Sequence, residues 1–270
     1  MCTYTVEFGT LNFAGTPAPP MISSPSNPRL KEVAKLREGR HRRRTGCFLI
    51  DGRREVERAI HCGIRILELF VTEEVRFSGI PTTLVAENIF DKIAFGDRND
   101  GILAVAETPQ WSLDTFPTTA LPLLAVLEGI EKPGNVGAVF RSVDGAGLDG
   151  ILVTDPATDL FNPNTIRSSL GTIFKVPTAV TESCIAFDWL RRHGIHLAVA
   201  RCDGAIPYTD YDFRRPTAII LGSEADGLTD VWNGPDTTAI SLPMHGIADS
   251  LNVSTAAAVL FYEARRHRDS

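Results

Sequence analysis

The stretch Leu123-Leu124-Ala125-Val126-Leu127-Glu128-Gly129-Ile130-Glu131-Lys132-Pro133-Gly134-Asn135-Val136-Gly137 sets the fold class. Five consecutive apolar residues ended by a glycine turn read as a short strand buried on both faces. The proline-glycine turn leads into an apolar-periodic segment, which predicts a helix over Val136–Gly147. Working outward, the alternation repeats. Strands are predicted at Gly150–Val153, Ile195–Ala200, Thr217–Leu221 and Thr238–Leu242, and helices at Pro163–Leu170, Glu182–His193 and Val253–Arg266. Buried runs separated by helices imply a mostly parallel sheet covered on both faces, which binds ligands at the C-terminal ends of its strands.

Upstream the pattern differs. Ser23-Ser24-Pro25-Ser26-Asn27-Pro28 is a capping stretch before a helix at Arg29–Leu36. A basic turn, Gly39-Arg40-His41-Arg42-Arg43-Arg44, comes next. Phe48–Ile50 reads as a strand and Arg53–Cys62 as a helix stopped by Gly63. Ile66–Val71, Thr83–Val85 and Gly101–Ala106 are further strand candidates. Residues 22–108 therefore form a separate α/β domain, residues 109–121 a proline-bearing linker, and residues 122–270 the alternating domain. Residues 1–21 are expected to be a disordered leader, or an upstream extension before a start at Met21.

The 270 residues carry 43% hydrophobic and 22% charged side chains, enough apolar material for two cores. The net charge of −6 argues against indiscriminate coating of nucleic acid. Between Arg29 and Arg58, however, eleven Lys/Arg face five Asp/Glu, so the remainder of the chain sums to −12. A basic module joined to an acidic one fits either RNA contact or a solvated helix face. The cysteines (Cys2, Cys47, Cys62, Cys184, Cys202) are odd in number and widely spaced. They suggest neither disulfides nor a metal site, and they fit a reducing cytoplasm. No apolar run is long enough to cross a bilayer.

Three loops follow predicted strands of the second domain. In the first, glycines near Asn135 let backbone approach a ligand, the helix N-terminus offers amides, and Arg141 six residues on could grip a phosphate. The second, Gly222-Ser223-Glu224-Ala225-Asp226-Gly227, holds a carboxylate near a strand end. The third, Leu242-Pro243-Met244 to Ser250-Leu251-Asn252-Val253-Ser254, offers an apolar wall and an expected N-cap at Ser250. Taken singly, each also fits an ordinary turn.

Taken together, the loops resemble the three signature motifs of the SpoU/TrmH family of RNA ribose 2′-O-methyltransferases, in the SPOUT class. Asn135-Val136-Gly137-Ala138-Val139-Phe140-Arg141 resembles the first, Gly222-Ser223-Glu224 the second, and Ser250 to Ser254 the third. Arg167 to Pro177 is similar to a further family stretch, and Ala225 and Leu242 are small departures. The resemblance implies an α/β fold: a C-terminal SPOUT-type parallel sheet with a deep trefoil knot, preceded by a small ribosomal-protein-like α/β/α substrate-binding domain. It implies S-adenosylmethionine as cofactor, no metal, a homodimer, and an RNA substrate, ribosomal RNA (23S) ahead of tRNA. Leu221, Gly222, Leu242, Met244 and Leu251 would contact the cofactor. Arg141 would lead the chemistry, with Asn135, Glu224, Ser250 and Asn252 orienting the site. Arg40, Arg42, Arg43 and Arg44 would meet RNA. The competing readings are a tRNA enzyme, a member protecting against a ribosome-targeting antibiotic, a non-catalytic RNA-binding factor, and a nucleotide-dependent oxidoreductase. The last lacks a glycine fingerprint.

Overall fold

The computed structural model describes residues 21–75, 77–95, 100–224 and 227–270. The expected leader and the Ala225 departure therefore lie outside the described residues, apart from Met21. The chain opens with helices α1 (Pro28–Lys35) and α2 (Gly39–Thr45), strand β1 (Cys47–Asp51), helix α3 (Arg53–His61), strands β2 (Ile66–Val71) and β3 (Thr82–Leu84), helix α4 (Glu87–Phe90) and strand β4 (Ile102–Glu107). These strands form one sheet in the order β1-β4-β2-β3. Alternate residues serve opposite faces. Leu49, Phe70 and Leu103 pack with Leu30, Val33 and Phe90, whereas Phe48, Leu69 and Ile102 pack with Val56 and Ala59 of α3. The sheet is thus covered on both sides.

The second half runs β5 (Leu123–Glu128), α5 (Pro133–Ala146), β6 (Gly150–Thr154), α6 (Pro163–Ser168), β7 (Thr178–Thr181), α7 (Ser183–Arg192), β8 (His196–Ala200), β9 (Ile206–Pro207), β10 (Thr217–Leu221), β11 (Thr237–Ser241) and α8 (Val253–Asp269). The sheet order is β7-β6-β5-β10-β8-β11-β9, with every pairing parallel. Leu123, Ala125 and Leu127 face α5 and α8, while Leu124 and Val126 face Trp189 and Leu190 of α7. Strand order reverses between β5 and β10, so a crevice opens beyond their C-terminal ends. Gly137 lets α5 press against α6, since a Cβ there would lie 2.4 Å from the Thr165 carbonyl.

Three local readings change. The basic stretch 39–44 is helical rather than a turn: arginines are good helix formers, and Gly46 at φ 65° closes the helix with its N–H on the Arg42 carbonyl. Strands β7 and β9 and helix α4 were not anticipated, being two to four residues long and without a distinctive period. The expected linker lies against the second half. Trp111 meets Phe161 with tilted rings 4.8 Å apart, and Phe116 meets Trp189 edge-on at 5.7 Å.

The two halves share one apolar core. Phe48 of β1 sits 4.5 Å from Phe161 and 6.1 Å from Phe174. Arg167 Nη1 donates to the Phe95 carbonyl at 2.5 Å, and Arg58 donates to the Leu170 carbonyl. Leu170 takes the left-handed conformation at φ 55°, uncommon for a branched residue, and Gly171 beside it packs on the Arg58 stem.

Candidate active site

Glu224 stands beyond the end of β10 and gathers the other loops around it. Asn135 Nδ2 donates to Glu224 Oε1 at 2.8 Å, and Asn252 Nδ2 donates to the same oxygen at 2.6 Å. Lys132 Nζ donates to Oε2. Both amide groups thus turn their NH2 toward the carboxylate, which fixes the orientation of each asparagine. Asn252 Oδ1 accepts the Ser254 N–H at 3.0 Å, making Asn252 the N-cap of α8. That position had been expected for Ser250, whose hydroxyl instead donates to Asp249 Oδ1 at 3.3 Å. Either residue type can cap, and the backbone selects the one immediately before the first helical residue.

The Lys132 hydrogen bond and charge hold the Glu224 carboxyl below the usual range, with further help from the Val253 N–H and Asn135. The same contact raises Lys132. Glu224 is therefore an ionised anchor and a poor proton acceptor at neutral pH.

Beside this cluster lies a cavity of about 520 Å³, within the size range of small-molecule sites. Its apolar wall includes Leu221, Leu242, Met244, Leu251 and Leu260, and its polar rim includes Glu224, Ser250, Asp249 and the Arg201–Asp203 pair. A side chain at Gly222 would meet the Gly227 carbonyl at 2.4 Å, so the loop closes tightly and presents backbone to the cavity. An apolar wall next to carboxylates suits a ligand with an aromatic base and a cationic centre. Among the described residues, no cluster of His, Cys, Asp or Glu has metal-binding geometry.

The structure thus brings Leu221, Gly222, Glu224, Leu242, Met244, Ser250 and Leu251 to one cavity, with Asn135 and Asn252 on Glu224. It does not bring Arg141 there. Arg141 is exposed on α5 and is absent from the cavity lining. The Asn135 side chain is instead engaged by Glu224, through its Nδ2, and by Asn252, through its Oδ1.

The basic helix needs one correction. Arg40, Arg43 and Arg44 are exposed, but Arg42 is 4% exposed. Its guanidinium binds Asp159 Oδ2 at 2.7 Å and the carbonyls of Leu36 and Arg37 at 2.7 and 2.8 Å. A side chain so engaged is not available to RNA, so Arg42 is a domain clamp. Sequence reasoning also missed Lys132 and the rim residues Arg201, Cys202 and Asp203. The predicted strand ending at Ala200 could have pointed to the latter three, since its C-terminal end faces the crevice.

The profile of the SpoU rRNA Methylase family matches residues 122–262, and that of an MRM3-like substrate binding domain matches residues 27–104. The 23S rRNA (uridine(2479)-2'-O)-methyltransferase of Streptomyces viridochromogenes is 31% identical over 273 residues, covering 94% of this chain and 95% of its own length. The 23S rRNA (guanosine(2553)-2'-O)-methyltransferase RlmP of Bacillus subtilis is 29% identical, covering 90% and 98%. Among solved structures, the SpoU methyltransferase AviRb from Streptomyces viridochromogenes, in complex with AdoMet, superposes with a TM-score of 0.83 at 29% identity. The alignment covers 90% of this chain and 99% of that one.

Proposed function

The chain belongs to the SpoU rRNA methylase family, and from that premise we propose that it methylates a ribose 2′-hydroxyl of ribosomal RNA, 23S rRNA first, using S-adenosylmethionine. The observation that carries this reading is the meeting of Asn135, Glu224 and Asn252, from three loops, at the edge of one cavity. The named relatives act on 23S rRNA, which favours that substrate over tRNA. The intact cluster disfavours a non-catalytic factor.

In this reading, Leu221, Leu242, Met244 and Leu251 hold the adenosine and methylthio surfaces, and the Gly222 backbone closes on them. When bound, S-adenosylmethionine supplies an electrophilic methyl carbon on a good leaving group. The protein must therefore align a ribose oxygen with that carbon and ease loss of the hydroxyl proton. Glu224 fixes Asn135 and Asn252 as rigid polar contacts. A guanidinium stays protonated, so Arg141 holds the neighbouring phosphate and stabilises the forming alkoxide, and the proton passes to solvent.

Residues 22–108 serve as the RNA-gripping domain and 122–270 as the transferase. Arg40, Arg43 and Arg44 offer phosphates three exposed cations on one helix. We place the enzyme in the cytoplasm, where its substrate is assembled. The trefoil knot is supported by β10 lying between β5 and β8 while α8 packs back on α5. A homodimer is supported by Arg141 standing outside its own chain's cavity and by exposed Ile247, Leu251 and Tyr262 near the third loop and α8.

The test is methyl transfer from labelled S-adenosylmethionine to total rRNA and, separately, to total tRNA. Label in rRNA is expected. Label confined to tRNA would overturn the substrate assignment, and none in either would overturn the activity.

A further inference from the structure

Glu128 ends β5 and is 4% exposed. Register pairs Leu127 with Leu221, so Glu128 stands level with Gly222, where the Gly-Ser-Glu loop leaves β10. Its Oε2 accepts the Thr229 N–H at 2.8 Å, and its Oε1 accepts the Thr229 and Ser183 hydroxyls, both at 2.7 Å. Thr154 Oγ1, fully buried, lies 3.0 Å from Ser183 Oγ. Among the described residues no Lys, Arg or His pairs with Glu128, so neutral donors alone satisfy this carboxyl. A buried carboxyl is costly unless such bonds are made, and the site is built to make them.

The geometry of these bonds defines what they do. Thr229 is the first hydrogen-bonded anchor after Gly227, where the loop returns. The β5–β10 ladder fixes the loop's entry at Leu221, and reciprocal bonds between Ser223 and Gly227, both 3.1 Å, close its neck. Glu128 fixes its exit. Held at entry, neck and exit, residues 222–224 have little freedom to rotate Glu224 away from Asn135 and Asn252, or Gly222 away from the cavity. We propose that Glu128 is a positioning residue that sets the Gly222–Thr229 loop for cofactor binding, acting through hydrogen-bond geometry and not through its charge. This rests on the cavity being the S-adenosylmethionine site.

The distinction between geometry and charge can be tested with an isostere. In Glu128→Gln the amide oxygen can still take the Thr229 N–H, and the NH2 can donate to the two hydroxyls, which rotate to accept it. In Glu128→Ala all three bonds are lost. Calorimetry with S-adenosylmethionine should show affinity about tenfold weaker for Glu128→Ala and within about twofold of wild type for Glu128→Gln. Amide hydrogen exchange in the cofactor-free protein should rise at Ser223, Gly227 and Thr229 in Glu128→Ala only. Should Glu128→Ala fail to fold, Ser183→Ala and Thr229→Ala each remove one bond and should show the same two effects in smaller measure. Wild-type affinity and exchange in Glu128→Ala, or Glu128→Gln as impaired as Glu128→Ala, would overturn the proposal. Wild-type protein that bound no S-adenosylmethionine would overturn the cofactor reading instead, and loop exchange would still judge Glu128.

Discussion

Arg42 Nε lies 2.7 Å from Asp159 Oδ2, joining the substrate-binding half to the catalytic half across 117 residues of sequence. Arg42 also donates to the Leu36 and Arg37 carbonyls just past α1, so one buried guanidinium ties the α1–α2 connection to the catalytic half. The exposed arginines Arg40, Arg43 and Arg44 are carried on the same helix.

Arg42→Ala should destabilise the protein strongly, because it leaves a carboxylate and two carbonyls without their donor. Loss of one partner from a buried pair costs about 3 kcal/mol or more. Chemical denaturation measures this directly. A midpoint equal to that of Arg40→Ala would contradict the clamp.

Replacing Arg40, Arg43 and Arg44 together by glutamine should leave stability nearly unchanged, since all three are exposed. RNA affinity should fall, and the slope of log affinity against log salt should flatten by about 2. Binding titrations at several salt concentrations give both numbers. An unaltered slope would remove α2 from the RNA interface.

Glu224 should remain ionised through mild acid, because Lys132 holds its carboxyl below the ordinary range. A lowered folded-state value means that its contribution is present at neutral pH and disappears only as pH falls through that lowered value. Cofactor affinity should therefore be flat from about pH 8 to about pH 5. Lys132→Met returns the carboxyl toward its usual value, so affinity should decline near the acid end. Glu224→Ala frees both asparagines and should reduce kcat/KM by about 100-fold.

Asp51 carries the opposite shift. Burial raises its carboxyl to about 6, against opposing contributions from the Phe95 N–H and Arg167. A folded-state value above the unfolded one makes the ionised form a burden above that pH, relieved as pH falls toward 4. Asp51→Asn should stabilise the protein at pH 8 by up to about 3 kcal/mol, with the gain vanishing near pH 4. A pH-independent difference in unfolding free energy would contradict this.

The sequence exposed what is local and periodic. The run Leu123–Leu127 announced a buried strand, and glycine-bounded loops announced where Asn135, Glu224 and Asn252 stand. That they serve one site was legible only through the family resemblance, and their mutual contact only in the structure, because Glu224 lies 89 and 28 residues from its two asparagines. Lys132 was missed for the same reason: its partner is 92 residues away and no spacing marks the pair. Arg42 was misassigned because it stands in a basic run whose neighbours are exposed. Burial is decided by Asp159, on the other domain.

Ribose methylation aided by Arg141 is tested most directly by mapping 2′-O-methyl groups on 23S rRNA after incubation with S-adenosylmethionine and either wild-type protein or Arg141→Ala. A single ribose 2′-oxygen should be modified by the wild type and left unmodified by Arg141→Ala, with cofactor binding retained. A methyl group on a base, or full modification by Arg141→Ala, would contradict it.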